Sequence, residues 1–143
     1  MAEKLFHLGV KALVTNTEGK ILLLQVNTAN FQDRTPHWDI PGGRMQAGQS
    51  VLDTLQREVA EETGITVVGE PEFFTAVISN IEIPLSDTEK VGLVLMVYRV
   101  TIPGNSTVHL SSEHTAYEWV ARTVAAERLR HKYPAAFTDL LVV

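Results

Sequence analysis

The chain contains no cysteine. Disulfides, thiolate-ligated zinc, iron–sulfur clusters and thiol catalysis are therefore excluded, and a reducing compartment is permitted. Long apolar stretches are missing as well. The longest, Val91 to Tyr98, falls far short of the roughly 20 residues that a membrane-spanning helix needs. The first residues, Met1-Ala2-Glu3-Lys4, lack the charge and cleavage pattern of a signal peptide, and the expectation is a soluble, cytoplasmic protein without a membrane partner. A basic excess is also absent: 12 Lys and Arg stand against 17 Asp and Glu, for a net charge of −5. Binding to a nucleic-acid polymer needs a basic stripe that displaces counterions, so that partner is not expected. The five histidines, at positions 7, 37, 109, 114 and 131, include no i,i+4 pair, which gives a histidine metal site little support.

What is present is enough to build one core. With 143 residues, 45% of them hydrophobic, a single domain over residues 1–143 is expected. Strand-like and helix-like segments alternate without repeats or linkers, which predicts an α/β domain. Leu8 to Thr15 and Lys20 to Val26 flank the polar turn Asn16-Thr17-Glu18-Gly19 and predict a hairpin. Asn27 to His37 lacks an apolar period and reads as a surface loop, and Pro41-Gly42-Gly43 as a sharp bend. Ser50 and Asp53 fit the start of a helix over Val51 to Thr63, with Gly64 as its stop. One or two strands are expected within Thr66 to Ser79. A doubly buried strand is expected over Val91 to Thr101, and a short extended piece over Tyr117 to Val120. Val124 to Arg130 and Pro134 to Leu141 read as helices, Pro134 in a first turn. The basic cluster Arg122, Arg128, Arg130, His131 and Lys132, with Glu127 among it, reads as a solvated helix face.

The helix over Val51 to Thr63 carries the chemistry. At 100° per residue Val51, Leu52, Leu55 and Val59 fall on one apolar side, and Glu58, Glu61 and Glu62 on an adjacent arc. Like charges at i,i+3 and i,i+4 repel by a few tenths of a kcal/mol per pair unless a cation sits between them. Mg²⁺ or Mn²⁺ suits carboxylate oxygens and bridges readily to phosphates. An acidic chain can in this way still bind a phosphorylated small molecule.

The segment Arg57-Glu58-Val59-Ala60-Glu61-Glu62-Thr63-Gly64-Ile65, placed after Gly42-Gly43, resembles the signature of the Nudix hydrolases. Gly43, Arg57, Glu58, Val59, Glu61, Glu62, Gly64 and Ile65 match in register, at a chance on the order of 10⁻⁸ per window. Trp38-x-x-Pro41-Gly42-Gly43, the hairpin and the later strand extend the likeness over most of the chain. Gln49 departs from it, standing where the first glutamate of the pattern is expected, and Gln46 stands where many members carry another acid. The resemblance assigns that first position to bracing the arginine, so Gln49 is read as a loop brace that accepts a hydrogen bond from Arg57 without the charge that doubles its strength.

The resemblance implies a Nudix fold, an α/β/α sandwich around a mixed β-sheet. It also implies Mg²⁺-dependent cleavage of a diphosphate bond in a small nucleotide substrate. Glu58, Glu61 and Glu62 would hold metal, Arg57 would orient Glu58, and Gly42, Gly43 and Arg44 would approach the phosphates. Glu113 is the candidate general base or extra metal ligand. It lies in Glu113-His114-Thr115-Ala116-Tyr117-Glu118-Trp119, which looks like a segment of Nudix branches acting on pterin or deoxynucleoside triphosphates; His114 itself reads as structural. Phe31, His37, Phe74 and Tyr98 are candidates to stack on a base, and Trp38 and Trp119 read as packing residues. A (deoxy)nucleoside or pterin triphosphate losing pyrophosphate is the favoured substrate. A hydrolase of ADP-ribose or another nucleotide sugar is one alternative, and a catalytically weak nucleotide-binding or regulatory domain is the other. The oligomeric state is open between a monomer and a homodimer.

Overall fold

The computed structural model describes residues 2–103 and 106–143. The reading of the chain's start lies outside them in so far as it rests on Met1. The elements run β1 (Phe6–Thr15), β2 (Ile21–Val26), β3 (Trp38–Asp39), β4 (Gly42–Arg44), α1 (Val51–Thr63), β5 (Glu72–Ile78), β6 (Ile83–Pro84), β7 (Lys90–Thr101), β8 (His114–Val120), α2 (Arg122–Arg128) and α3 (Ala135–Leu141). The main sheet has the order β3-β2-β1-β7-β5, with β8 on β2 and β4 on β1. The sheet is mixed, as expected: β1 and β7 run parallel from Phe6↔Gly92 to Thr15↔Thr101, while β2–β8 and β5–β7 are antiparallel. No described helix is long and apolar enough to cross a membrane.

The continuous apolar runs of β1 and β2 follow from burial on both faces. Successive side chains alternate across a sheet. Val10, Ala12, Val14, Leu22 and Leu24 accordingly pack with Leu55 and Val59 of α1, and Leu13, Ile21 and Leu23 pack with Ala125, Leu129, Tyr133 and Phe137 from the α2–α3 side. Helices on both faces make the α/β/α sandwich that the resemblance implied. Leu22, Leu23 and Leu24 are fully buried, each contributing roughly 1.5–3 kcal/mol of apolar burial.

The hairpin reading needs correcting. β1 and β2 pair only at Thr15↔Ile21, beside the turn that Asn16 closes through Asn16 N–H to the Lys20 carbonyl. Beyond that point they splay. β4 takes up β1 at Gly9, Val10 and Lys11, and β3 takes up β2 at Leu24 and Gln25. The bend falls at Pro41, and the two glycines belong to β4. Chain segment 38–44 is thereby wedged into the middle of the sheet.

Helix α1 begins at the expected cap, with the Ser50 side chain accepting from Asp53 N–H, and stops at Gly64 in the left-handed conformation, φ 73°. Its buried stripe runs through Leu55, Val59 and Glu62 rather than through Leu52, which is 42% exposed. Thr66 to Ser79 holds the single strand β5. α2 starts and ends two residues earlier than expected, and Pro134 is the residue that caps α3 from outside, not a member of its first turn. Lys132 is not on a solvated helix face. It lies in the turn after α2 and forms an ion pair with buried Asp39 at 2.7 Å.

Candidate active site

Three glutamates on one helix reach three different environments. Glu62 is 5% exposed because it falls on the buried stripe of α1, and its Oε1 accepts a hydrogen bond from Gly42 N–H at 2.7 Å. Glu58, half-buried, lies against Gly43: a Cβ placed on that glycine would stand 2.5 Å from the Glu58 carboxyl carbon. Gly42 is equally constrained, with φ 148° and room for a Cβ only 2.2 Å from the Val10 carbonyl oxygen. Glu61 stands outside, its carboxylate largely exposed and 3.4 Å from Arg57 Nη1. The single acidic arc read from the helical wheel is therefore one inward, one intermediate and one outward carboxylate.

Arg57 ties this helix to the preceding loop. Its Nη2 donates to Gln49 Oε1 at 3.1 Å, and its Nη1 lies 3.2 Å from Glu58 Oε1. Thr54 Oγ1 also donates to Gln49 Oε1, at 3.3 Å. The Arg57 Nε is buried without a hydrogen-bond partner among the described residues. Gln46 is exposed and contributes its backbone carbonyl to the turn.

Glu113, just before β8, and His114, its first residue, come up to Glu62. Ligand-capable atoms of these three lie within 4.8 Å of one another. His114 Nδ1 is 3.9 Å from Glu62 Oε2 and has no hydrogen-bond partner among the described residues. Burial pushes Glu62 up to about 8 against the opposing pull of Lys11, raises Glu58 and lowers His114. The Glu62–His114 contact is thus between two groups that burial drives toward neutrality. The raised Glu62 carboxyl, with the Glu113 carboxylate and a ring nitrogen close to it, fits a divalent cation, whose charge would favour the ionised form of Glu62. Pairing distant histidine and glutamates lay beyond the i,i+4 test applied to the histidines alone.

A cavity of about 530 Å³ opens over these groups, lined among others by Gly42, Gly43, Arg44, Glu62, Glu113 and His114. Arg44 is exposed and lies 3.4 Å from His7 Nδ1 through Nη1. Of the aromatic candidates, Phe31 lines the cavity and His37 stacks on His131 at 4.8 Å between centroids. Phe74 packs edge-on against Phe137 in the core, and Tyr98 against Phe73. Trp38 and Trp119 are partly buried against the two core clusters, as read.

Lys11, Asp39 and Lys132 also line the cavity, and the sequence assigned none of them to the site. Asp39 Oδ2 accepts from Lys11 Nζ at 3.2 Å and Lys132 Nζ at 2.7 Å. Asp39 Oδ1 accepts from Tyr133 Oη at 2.7 Å and Ile40 N–H at 2.8 Å. Burial opposes ionisation of Asp39, yet the two lysines outweigh it and hold the carboxyl well below its ordinary range. Burial lowers Lys132 and raises the Tyr133 hydroxyl well above its ordinary value. The available signal was Lys11 itself, a charge between Val10 and Ala12 in an otherwise apolar strand.

Residues 5–140 match the family model for the NUDIX domain, and the chain belongs to the Nudix family. The crystal structure of a MutT protein from Methanosarcina mazei is 32% identical, covering 99% of this chain and 94% of that one with a TM-score of 0.72. A MutT-like protein of Streptomyces ambofaciens is 28% identical over 137 residues, 96% of this chain and 78% of its own length. An octanoyltransferase of Myxococcus xanthus is 31% identical over 113 residues. Those residues are 78% of this chain and only 29% of the octanoyltransferase.

Proposed function

We propose that residues 1–143 act as one domain that hydrolyses a diphosphate bond in a small nucleotide, a (deoxy)nucleoside or pterin triphosphate losing pyrophosphate. The observation that carries this reading is the placing of Glu62 on Gly42 N–H, Glu58 against Gly43 and Glu113 beside Glu62, next to a nucleotide-sized cavity. Glu58, Glu61 and Glu62 would hold Mg²⁺, with Mn²⁺ as a substitute. The outward position of Glu61 gives it the weakest claim among the three. When bound, such a cation neutralises phosphate charge and lowers the pKa of a water.

The chain's own groups do the rest. Gly42 N–H fixes one oxygen of Glu62 and leaves the other facing Glu113 and His114. Glu113 accepts the proton of the attacking water. The new bond forms from that water's oxygen to phosphorus, the bridging P–O bond breaks, and pyrophosphate leaves. Arg57 positions Glu58 and joins α1 to the Gln49 loop, while the side-chain-free glycines let phosphate approach closely. Arg44, at the cavity's edge, contacts phosphate.

A catalytically weak nucleotide-binding domain is the second reading, favoured by the unpartnered Arg57 Nε opposite a glutamine. A panel of nucleoside triphosphates, dihydroneopterin triphosphate and ADP-ribose, assayed with Mg²⁺ for released phosphate and pyrophosphate, separates the two. Turnover of a triphosphate with pyrophosphate as product is expected. Absence of turnover on the whole panel would favour the binding domain, and ADP-ribose as the best substrate would move the protein to the nucleotide-sugar class.

A further inference from the structure

The floor of the cavity is built from hydrogen-bond donors. Asp39 has its four acceptor positions taken, by Lys11, Lys132, Tyr133 and Ile40 N–H, which is the full capacity of a carboxylate. Tyr133 spends its hydroxyl proton on the same carboxylate. Each ammonium carries three N–H groups, and among the described residues Asp39 is the one hydrogen-bond acceptor for Lys11 Nζ and for Lys132 Nζ. Two N–H groups of each lysine are left over. Both lysine side chains are largely buried, at 6% and 17% exposure, and both line the cavity. Two ammonium groups against one carboxylate leave the group with a net positive charge, which faces Glu62 in the same cavity.

Apolar side chains form part of the remaining lining, beside the polar Asn27, Asn30, Arg44 and Ser112. Leu93 and Leu95 of β7, Ile81 and Ile83 beyond β5, and the ring of Phe31 all face the same space. A flat heterocycle suits such walls, and the floor then selects which edge it presents. Leaving a buried donor without an acceptor costs more than the bond itself contributes, so a ring presenting an amino group there is rejected as well as unrewarded.

Resting on the nucleotide-hydrolase reading of the same cavity, we infer that Lys11 and Lys132 are specificity-determining residues that recognise a fused heterocycle through an adjacent ring carbonyl oxygen and ring nitrogen. Guanine offers two neighbouring acceptors in O6 and N7, where adenine offers N7 beside an amino donor. A pterin carries the same carbonyl-and-nitrogen arrangement as guanine. Asp39 and Tyr133 are positioning residues: they touch the lysines, not the ring, and keep both ammonium groups at one place.

The test is equilibrium binding, which needs no turnover. Isothermal titration of the full chain with GMP, 7-deaza-GMP, AMP and neopterin monophosphate, in buffer with Mg²⁺, reads the preference directly. GMP or the neopterin compound should bind at least fivefold more tightly than AMP, the low end of the discrimination that a good bidentate base contact gives. Which of the two binds more tightly identifies the ring. For GMP, loss of N7 in the 7-deaza compound should remove most of the advantage. Lys11→Met and Lys132→Met should bring the ratio to AMP close to one. Lys132→Gln, which can still donate to Asp39 while offering an acceptor to the cavity, should move the preference toward AMP even where the methionine variants do not fold.

Equal binding of GMP, neopterin monophosphate and AMP by wild type would overturn the inference, as would no binding of any of them at millimolar concentration. Variants that weaken every ligand equally would overturn it too, because that pattern belongs to phosphate-binding lysines. The triphosphate panel reports separately on hydrolysis, so a clear GMP preference without turnover would leave this assignment standing and remove only the catalytic reading.

Discussion

Arg57 and Gln49 are joined by a single hydrogen bond, Nη2 to Oε1 at 3.1 Å, while the Nε of the same guanidinium is buried with no partner. A guanidinium is a fork that suits the two oxygens of a carboxylate. Glutamine offers one acceptor oxygen, and Thr54 shares it. Gln49→Glu should therefore supply an acceptor for Nε and convert a neutral contact into a charged one. The expected gain is at most ~1 kcal/mol in unfolding free energy, with a rise in kcat/KM of less than about tenfold. Chemical denaturation and steady-state kinetics on the best substrate of the panel check both. An Arg57→Ala variant as active as wild type would remove the brace from the mechanism.

Glu62 makes stability depend on pH. Its folded pKa, about 8, lies above the ordinary 4.5, so between those values the folded chain holds a proton that the unfolded chain has released. Stability contributed by the protonated carboxyl is complete below about 4.5 and is lost as pH rises through the folded value. Without divalent metal, Tm should fall between pH 5 and pH 8, and Glu62→Gln should flatten that fall. Added Mg²⁺ should raise Tm more at pH 8 than at pH 5, because the ionised carboxylate is the form a cation binds. A metal-free Tm profile identical in wild type and Glu62→Gln would refute the assignment.

The same substitution should lower kcat by ~10²-fold or more with Mg²⁺ present, since charge stabilisation at phosphorus is lost while the Gly42 N–H retains an oxygen acceptor. Glu61→Gln serves as the comparison. Among the described residues its exposed carboxylate pairs with Arg57 alone, so a smaller loss is expected than at Glu62. Side-by-side kcat values decide the order, and a larger loss at Glu61 would reverse the ranking drawn from burial.

Gly43→Ala should act through Glu58. The added Cβ would meet the carboxyl group at 2.5–2.8 Å, too close to be accommodated without moving one of them. Glu58 is the movable partner, and activity should drop by more than ~10-fold with a modest change in Tm. A structure of the variant showing Glu58 undisplaced, together with normal activity, would contradict the close-approach argument.

The longer strands and the helix were legible because their causes are local: apolar runs either side of a polar turn in β1 and β2, Ser50 and Gly64 at the ends of α1, continuous apolar character in β7. Glu58 and Glu62 were placed correctly on one helix. Their unequal burial was not, because a wheel shows direction but not what the helix faces. The hydrogen bonds of the Lys11–Asp39–Lys132–Tyr133 group link residues up to 94 positions apart, and no local pattern connects them. Lys132 was read by its neighbours in sequence, Arg130 and His131, when its partner in space was the aspartate of β3. The splaying of β1 from β2 was hidden for a related reason. Turn chemistry fixes the first pair of a hairpin, and the intruding segment 38–44 fixes the rest.

The parallel ladder between β1 and β7 keeps one constant offset, exemplified by Thr15 and Thr101, 86 positions apart. Contacts so distant must close a large loop before they stabilise anything. That loop contains the β1–β2 turn, segment 38–44 and the whole of α1, so the glycine strand and the glutamate helix are available to assemble before β7 completes the central sheet. Slow refolding should thus be governed by the arrival of β7. Substitutions at Leu95 or Val97 should then speed unfolding or slow refolding in a manner that changes at Ser50 do not.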